Sequence, residues 1–144
     1  MESIIRFTLL LAAALYMSWG LALVLAPEMS HAIISYGPYD PTTTAMFGAA
    51  MIGMMIMFVI AAYDPEREIV RALAAGLGGV GFTAAYLIFI AKAMPLRPLT
   101  VISLVVDLAA CATLFLMEAR LDLRKQKPKV RRGSTGARRR PARA

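Results

Sequence analysis

Four long apolar blocks alternate with short polar breaks, and this pattern predicts the architecture. The blocks run from about Phe7 to Ala26, Ala45 to Ala62, Ile69 to Ala91 and Leu99 to Met117. The last has nineteen residues, of which Asp107 alone is ionisable. At about 1.5 Å per residue they reach roughly 28 Å, enough to cross the hydrocarbon core of a bilayer. The break from Pro27 to Thr44 holds Glu28, His31, Tyr36, Tyr39 and Asp40, with turn signals at Gly37-Pro38 and Asp40-Pro41. Within it, Met29 to Ser35 has room for one or two interfacial helical turns. Thr43 or Thr44 is expected to cap the second span. Tyr63 marks a membrane surface, and Asp64-Pro65 ends that helix. Glu66 and Glu68 then fall in the first turn of the third span, where the helix dipole favours them. Short connections at Tyr63–Ile69 and Lys92–Pro98 force spans two, three and four to be antiparallel neighbours. The expected fold class is all-α: a four-transmembrane-helix antiparallel bundle over residues 1–118, then a disordered basic tail over 119–144, with room for the fourth span to extend as a surface helix through Lys125.

A signal peptide competes for the first block, since Val24-Leu25-Ala26 mimics a cleavage site. The apolar run is too long for a usual signal core, Glu2 accompanies Arg6, and Pro27 would hinder cleavage. A retained first helix is expected.

Composition agrees. Of the 144 residues, 59% are hydrophobic, against about 45–50% in ordinary soluble domains. The net charge of +7 is unevenly spread. Residues 1–117 carry five basic and seven acidic side chains, whereas 118–144 carry eleven basic and two acidic. By the positive-inside rule both termini are cytoplasmic, because the reverse topology would export the tail. The tail cations Arg120, Arg124, Lys125, Lys127, Lys129, Arg131, Arg132, Arg138, Arg139 and Arg140 are expected to contact anionic lipid. An acidic protein partner or RNA is the alternative. The tail lacks aromatic residues for base stacking, so no specific nucleic-acid partner is expected.

One cysteine, Cys111, and one histidine, His31, give no disulfide and no conventional metal site. No metal and no cofactor are expected. Five of the ten methionines lie within Met46–Met57, but Met51 and Met55 form only one ladder step, which reads as an adaptable apolar surface rather than a copper path.

Helices in lipid need small residues for close contact. Ala45, Ala49 and Gly53 supply a four-residue spacing on span two, and Ala75, Gly78 and Gly79 supply small positions on span three. The glycine-dense run Gly76–Gly81 reads either as a groove for a neighbouring helix or as a widened segment that admits a ligand. It is not a nucleotide loop, since no strand precedes it and no Lys-Ser/Thr follows.

Asp107 falls near the midplane, where a carboxylate costs about 2.5–3.5 kcal/mol on insertion scales. Tyr16 and Ser18 on span one, and Thr83 and Tyr86 on span three, fall at similar depth. No Lys or Arg does. Asp107 is therefore expected either as a structural acid bonded to a hydroxyl, or as a proton or ligand site with Tyr16, Ser18, Thr83 and Tyr86, or as the partner of a cation on another subunit. No catalytic constellation is visible.

Trp19-Gly20-Leu21, Ala26-Pro27-Glu28, Phe47-Gly48-Ala49 and Asp107 together resemble the small bacterial four-helix membrane proteins of the DoxX-like and BphX-like type, over roughly residues 5–118. The resemblance implies a four-helix fold in a bacterial inner membrane. The function expected from the sequence is non-enzymatic: an accessory or scaffold subunit packed against other membrane subunits or its own copies. The alternative is a small transporter or carrier of protons or an apolar ligand, centred on Asp107. A quinone- or lipid-linked membrane enzyme ranks last.

Overall fold

The computed structural model describes residues 2–125, with side chains through Glu118. Among these residues every regular element is helical. Helix α1 spans Glu2–Leu25, α2 spans Pro27–Ile34, α3 spans Pro41–Tyr63, α4 spans Arg67–Ala85 and α5 spans Pro98–Lys125. A π-helical turn, Tyr86–Ile90, continues α4. Four segments are long and apolar enough to cross a membrane: Glu2–Leu25, Pro41–Tyr63, Arg67–Ile90 and Pro98–Glu118. The four expected spans thus correspond to four observed helices, each with its ends slightly displaced.

Helix α5 runs on through Lys125, the end expected for a surface extension of the fourth span, so the tail does not begin at residue 119. The remaining tail residues expected to bind lipid, from Lys127 onward, lie outside the described residues, as do the side chains of Arg120, Arg124 and Lys125. One correction concerns the helix ends. The cap of α3 is Asp40, not Thr43 or Thr44. Its carboxylate accepts from the backbone amides of Thr42 and Thr43, each at 3.1 Å, and from the Thr43 hydroxyl. Pro41 at the first helical position, where no N–H is needed, moves the start upstream.

These bonds, the Thr43 hydroxyl first, hold the Asp40 carboxyl below its ordinary range. A group with a depressed folded-state pKa adds stability that is present above its unfolded value and is lost as pH falls through the folded one. Acidification should therefore lower the hydrogen-exchange protection of the Thr42 and Thr43 amides. Asp40→Asn, which also caps helices, should remove that acid dependence. Equal pH profiles for the two proteins would refute the assignment.

Helix α1 packs most extensively against α3, and α4 next most extensively against α5. Between α1 and α3 the chains approach at two glycines. A Cβ on Gly48 would lie 2.8 Å from Leu23 Cβ and 2.9 Å from the Gly20 carbonyl oxygen. One on Gly20 would lie 2.7 Å from Ile52 Cγ1 and 3.0 Å from the Gly48 carbonyl oxygen. Further along, the rings of Tyr16 and Phe58 meet edge to face with centroids 5.2 Å apart. Rising numbers on α1 therefore face falling numbers on α3.

The α4–α5 pair has the same opposed register. Cys111 Sγ donates to the Ala74 carbonyl at 3.2 Å, and a Cβ on Gly78 would sit 3.1 Å from that sulfur. A Cβ on Gly81 would sit 2.7 Å from Leu108 Cδ2. At one end the buried Glu118 carboxylate receives Arg67 Nε at 3.1 Å and Arg71 Nε at 3.4 Å. A core of Ile5, Leu9, Phe58, Val70, Leu77 and Leu114, all fully buried, joins the two pairs. Helices α3 and α4 are consecutive but touch little.

The small residues expected to pack divide accordingly. Gly78 packs tightly. A Cβ on Gly53 or Gly79 would meet nothing within 4 Å, Ala49 and Ala75 are exposed, and Ala45 is half-buried. A spacing within one helix defines a face without saying whether a partner covers it. Close approach needs small residues at matching height on two helices, which Gly20 and Gly48 provide.

Candidate functional site

A cavity of about 330 Å³ lies among the helices, walled by residues of α1, α3, α4 and α5. Ile34 of α2 and Met94 of the loop after the π-helical turn also line it. Two bonds hold these surrounding elements. Ser30 Oγ donates to the Ala22 carbonyl at 2.8 Å, tying α2 to α1. The Tyr36 amide donates to the Ala93 carbonyl at 3.1 Å, joining the segment after α2 to the loop that carries Met94. That loop turns on Lys92, a non-glycine residue with φ of 51°.

The wall is almost wholly apolar, with Leu15, Leu23, Met51, Leu87 and Leu104 among its residues. Tyr16, Trp19 and Phe47 add aromatic rings. The polar contributions are few. Trp19 Nε1 donates to Ser103 Oγ at 2.9 Å, and Ser103 Oγ donates to the Leu99 carbonyl at 2.9 Å, so these groups are satisfied. Thr83 Oγ1 is satisfied by its own helix, through the Gly79 carbonyl at 2.8 Å.

Three polar atoms on this wall are different. Tyr16 Oη, Thr100 Oγ1 and Asp107 Oδ1 are buried and have no hydrogen-bond partner among the described residues. Their residues are 3%, 5% and 5% exposed. Tyr16 Oη and the Asp107 carboxyl are near enough to interact, although neither Oη nor Oδ1 completes a hydrogen bond of normal geometry among the described residues. Thr100 and Asp107 are seven residues apart on α5, two helical turns or roughly 10 Å along one face. The unpartnered atoms therefore sit at two levels of a single apolar space. Each buried polar group without a partner costs about 1–3 kcal/mol, and three in one place make a site ready to accept hydrogen bonds from, or donate them to, a guest.

Asp107 is positioned by Gly81. A Cβ there would come within 3.4 Å of Asp107 Oδ2, besides its clash with Leu108. Glycine thus lets α4 lie against the carboxyl. Gly79, two residues earlier, leaves open space on the cavity wall. Within the glycine-rich run, Gly78 and Gly81 form the groove for α5, the first of the two expected readings, and Gly79 faces open space. The widening of the helix itself comes later, at Tyr86–Ile90.

Of the residues expected around Asp107, Tyr16 and Thr83 line the cavity with it. Ser18 and Tyr86 do not. Ser18 is exposed and donates to the Ala14 carbonyl at 2.8 Å. Tyr86 is 53% exposed at the start of the π-helical turn. Depth placed them at the right height, and helix rotation turned them away. Thr100 escaped the sequence reading because it lies near the end of its span, far from Asp107 in depth. The heptad spacing from Thr100 to Asp107 was the available signal. Among the described residues no group of three or more His, Cys, Asp or Glu side chains is arranged to hold a metal ion.

No family model matches this chain, and no curated protein or solved structure matches it either.

Proposed function

We propose that this chain is a non-enzymatic multi-pass protein of a bacterial inner membrane that binds an apolar small molecule between its helices and carries or presents it. Four helices cross the bilayer as an antiparallel bundle, with both termini and the basic tail on the cytoplasmic side. In that orientation the cavity occupies the outer half of the bundle, and Asp107 lies at its floor. The resemblance to DoxX-like and BphX-like proteins is part of this reading for fold and location.

The observation that carries it is the convergence of Tyr16 Oη, Thr100 Oγ1 and Asp107 Oδ1 on one apolar cavity. A volume of about 330 Å³ falls in the range of small-molecule pockets, about 300–1,000 Å³. That Asp107 Oδ1 has no hydrogen-bond partner among the described residues supports a guest over a purely structural acid.

Gly79→Leu tests the proposal. A Cβ there meets no atom within 4 Å, and Gly79 lines the cavity, so the new side chain should take up space the guest would use. Leucine also favours helix over glycine by about 0.8 kcal/mol. Mass spectrometry of gently solubilised wild-type protein should recover a bound apolar molecule, and the variant should release it while unfolding no earlier. Equal recovery from both proteins would end this reading.

A second reading, an accessory subunit packed against other membrane subunits, draws on the exposed small residues Ala49, Gly53, Ala75 and Gly79. It requires stoichiometric co-purification of a partner protein in mild detergent. Recovery of the chain alone and monomeric would exclude it.

A further inference from the structure

We infer that the cavity is selective for charge: its guest is a lipophilic amine bound as an ammonium ion against Asp107. This rests on the cavity being a ligand site and goes further by naming the head group.

The argument starts from what surrounds the carboxyl. Among the described residues no Lys, Arg or His lines the cavity. The nearest-packed titratable groups are Tyr16 from α1 and Cys111 on α5 itself, neither of which supplies positive charge. The arginines of α4 lie elsewhere, at Glu118. Buried carboxylates are paired or bound to a cation, because an unpaired one is costly in an apolar setting. None of the described residues supplies such a cation at this cavity, so the guest is the source.

The geometry of the acceptors points the same way. An ammonium group carries three donors and no acceptor. Asp107 Oδ1 and Tyr16 Oη are both buried on this cavity wall, and neither has a hydrogen-bond partner among the described residues. A carboxylate guest would meet like charge there, and an alcohol would fill only one of the two positions as a donor. The wall adds the rings of Tyr16, Trp19 and Phe47, whose faces attract cations. The rest of the lining is hydrocarbon and takes the apolar body. A free amine entering a protonated site takes the carboxyl proton, forming N–H and breaking O–H, and gives the same ion pair.

Trp19 is the only tryptophan in the chain and lies on the cavity wall, so its fluorescence reports occupancy directly. The test titrates the purified full-length protein in detergent with 4-phenylbutylamine, 4-phenylbutanol and 4-phenylbutyrate, which share one skeleton. The amine should bind about tenfold more tightly than the alcohol, as a charge-assisted bond replaces a neutral one. The acid should bind least. Asp107→Asn should bring amine and alcohol to similar affinity. An alcohol that binds as well as the amine, or a preference for the amine that survives Asp107→Asn, overturns the charge assignment and leaves the cavity as a ligand site. If none of the three changes Trp19 fluorescence, both readings fall. The three-ligand comparison on the wild-type protein stands without any variant.

Discussion

Gly48→Val lowers the midpoint of thermal unfolding in detergent far more than Gly53→Val on the same helix. The two glycines share α3 and differ in what a side chain would meet. At Gly48 the first added carbon is blocked by Leu23 Cβ at 2.8 Å and the Gly20 carbonyl oxygen at 2.9 Å. Neither is the flexible end of a side chain, so the helices must separate. At Gly53 the same carbon meets nothing within 4 Å. Overpacking in a well-packed core costs about 1–3 kcal/mol, and more where backbone blocks relief. Losing the α1–α3 contact also removes the Tyr16–Phe58 ring pair and the alignment of Tyr16 on the cavity wall. Gly48→Val should therefore lose ligand binding together with stability. Equal midpoints for the two variants would show that α1 and α3 are not closely apposed at this crossing.

The second large effect has the opposite sign for stability and function. Asp107→Leu should unfold later than wild type and bind nothing. The substitution removes a buried oxygen that no hydrogen bond among the described residues satisfies. Relief of one such group is worth about 1–3 kcal/mol, and the cavity beside it has room for the branched end of leucine. Functional sites often trade stability for activity in this way. Unfolding of Asp107→Leu followed by loss of secondary structure, against ligand binding followed by Trp19 fluorescence, separates the two consequences. A variant markedly less stable than wild type would mean that the carboxyl is bonded within the fold, and the site would lose its main support.

The fold was legible because hydrocarbon thickness imposes a length on each span, and length is written directly in the sequence. The breaks at Pro27, Asp64-Pro65 and Lys92–Pro98 were equally plain. Finer features depend on rotation about each helix, which a four-span apolar sequence encodes weakly. Apolar residues face both the core and the outside of such a helix, so periodicity does not distinguish Leu9, fully buried, from Phe7 at 68% exposure. That is why Ser18 and Tyr86 were grouped with Asp107 by depth and turn out to face elsewhere. It is also why Gly20 and Gly48 appeared only as parts of a family resemblance, without their role at the α1–α3 crossing. Tyr16 and Asp107 were legible because polar groups deep in an apolar run are rare enough to stand out on their own. The cap at Asp40 was missed for a different reason: two threonines closer to the apolar run looked sufficient, and the fixed φ of Pro41 was not weighed.

The loose meeting of α3 and α4 bears on how a guest arrives. Phe47 and Val80, one on each of these helices, line the cavity and are 52% and 42% exposed. With the bundle placed in the bilayer as proposed, the loosely packed seam between α3 and α4 would face the acyl chains and offer a side entrance. A greasy molecule already dissolved in the lamella would reach Asp107 sideways, shedding no water on the way, and its concentration in lipid rather than in the aqueous phase would set how often the protein is filled.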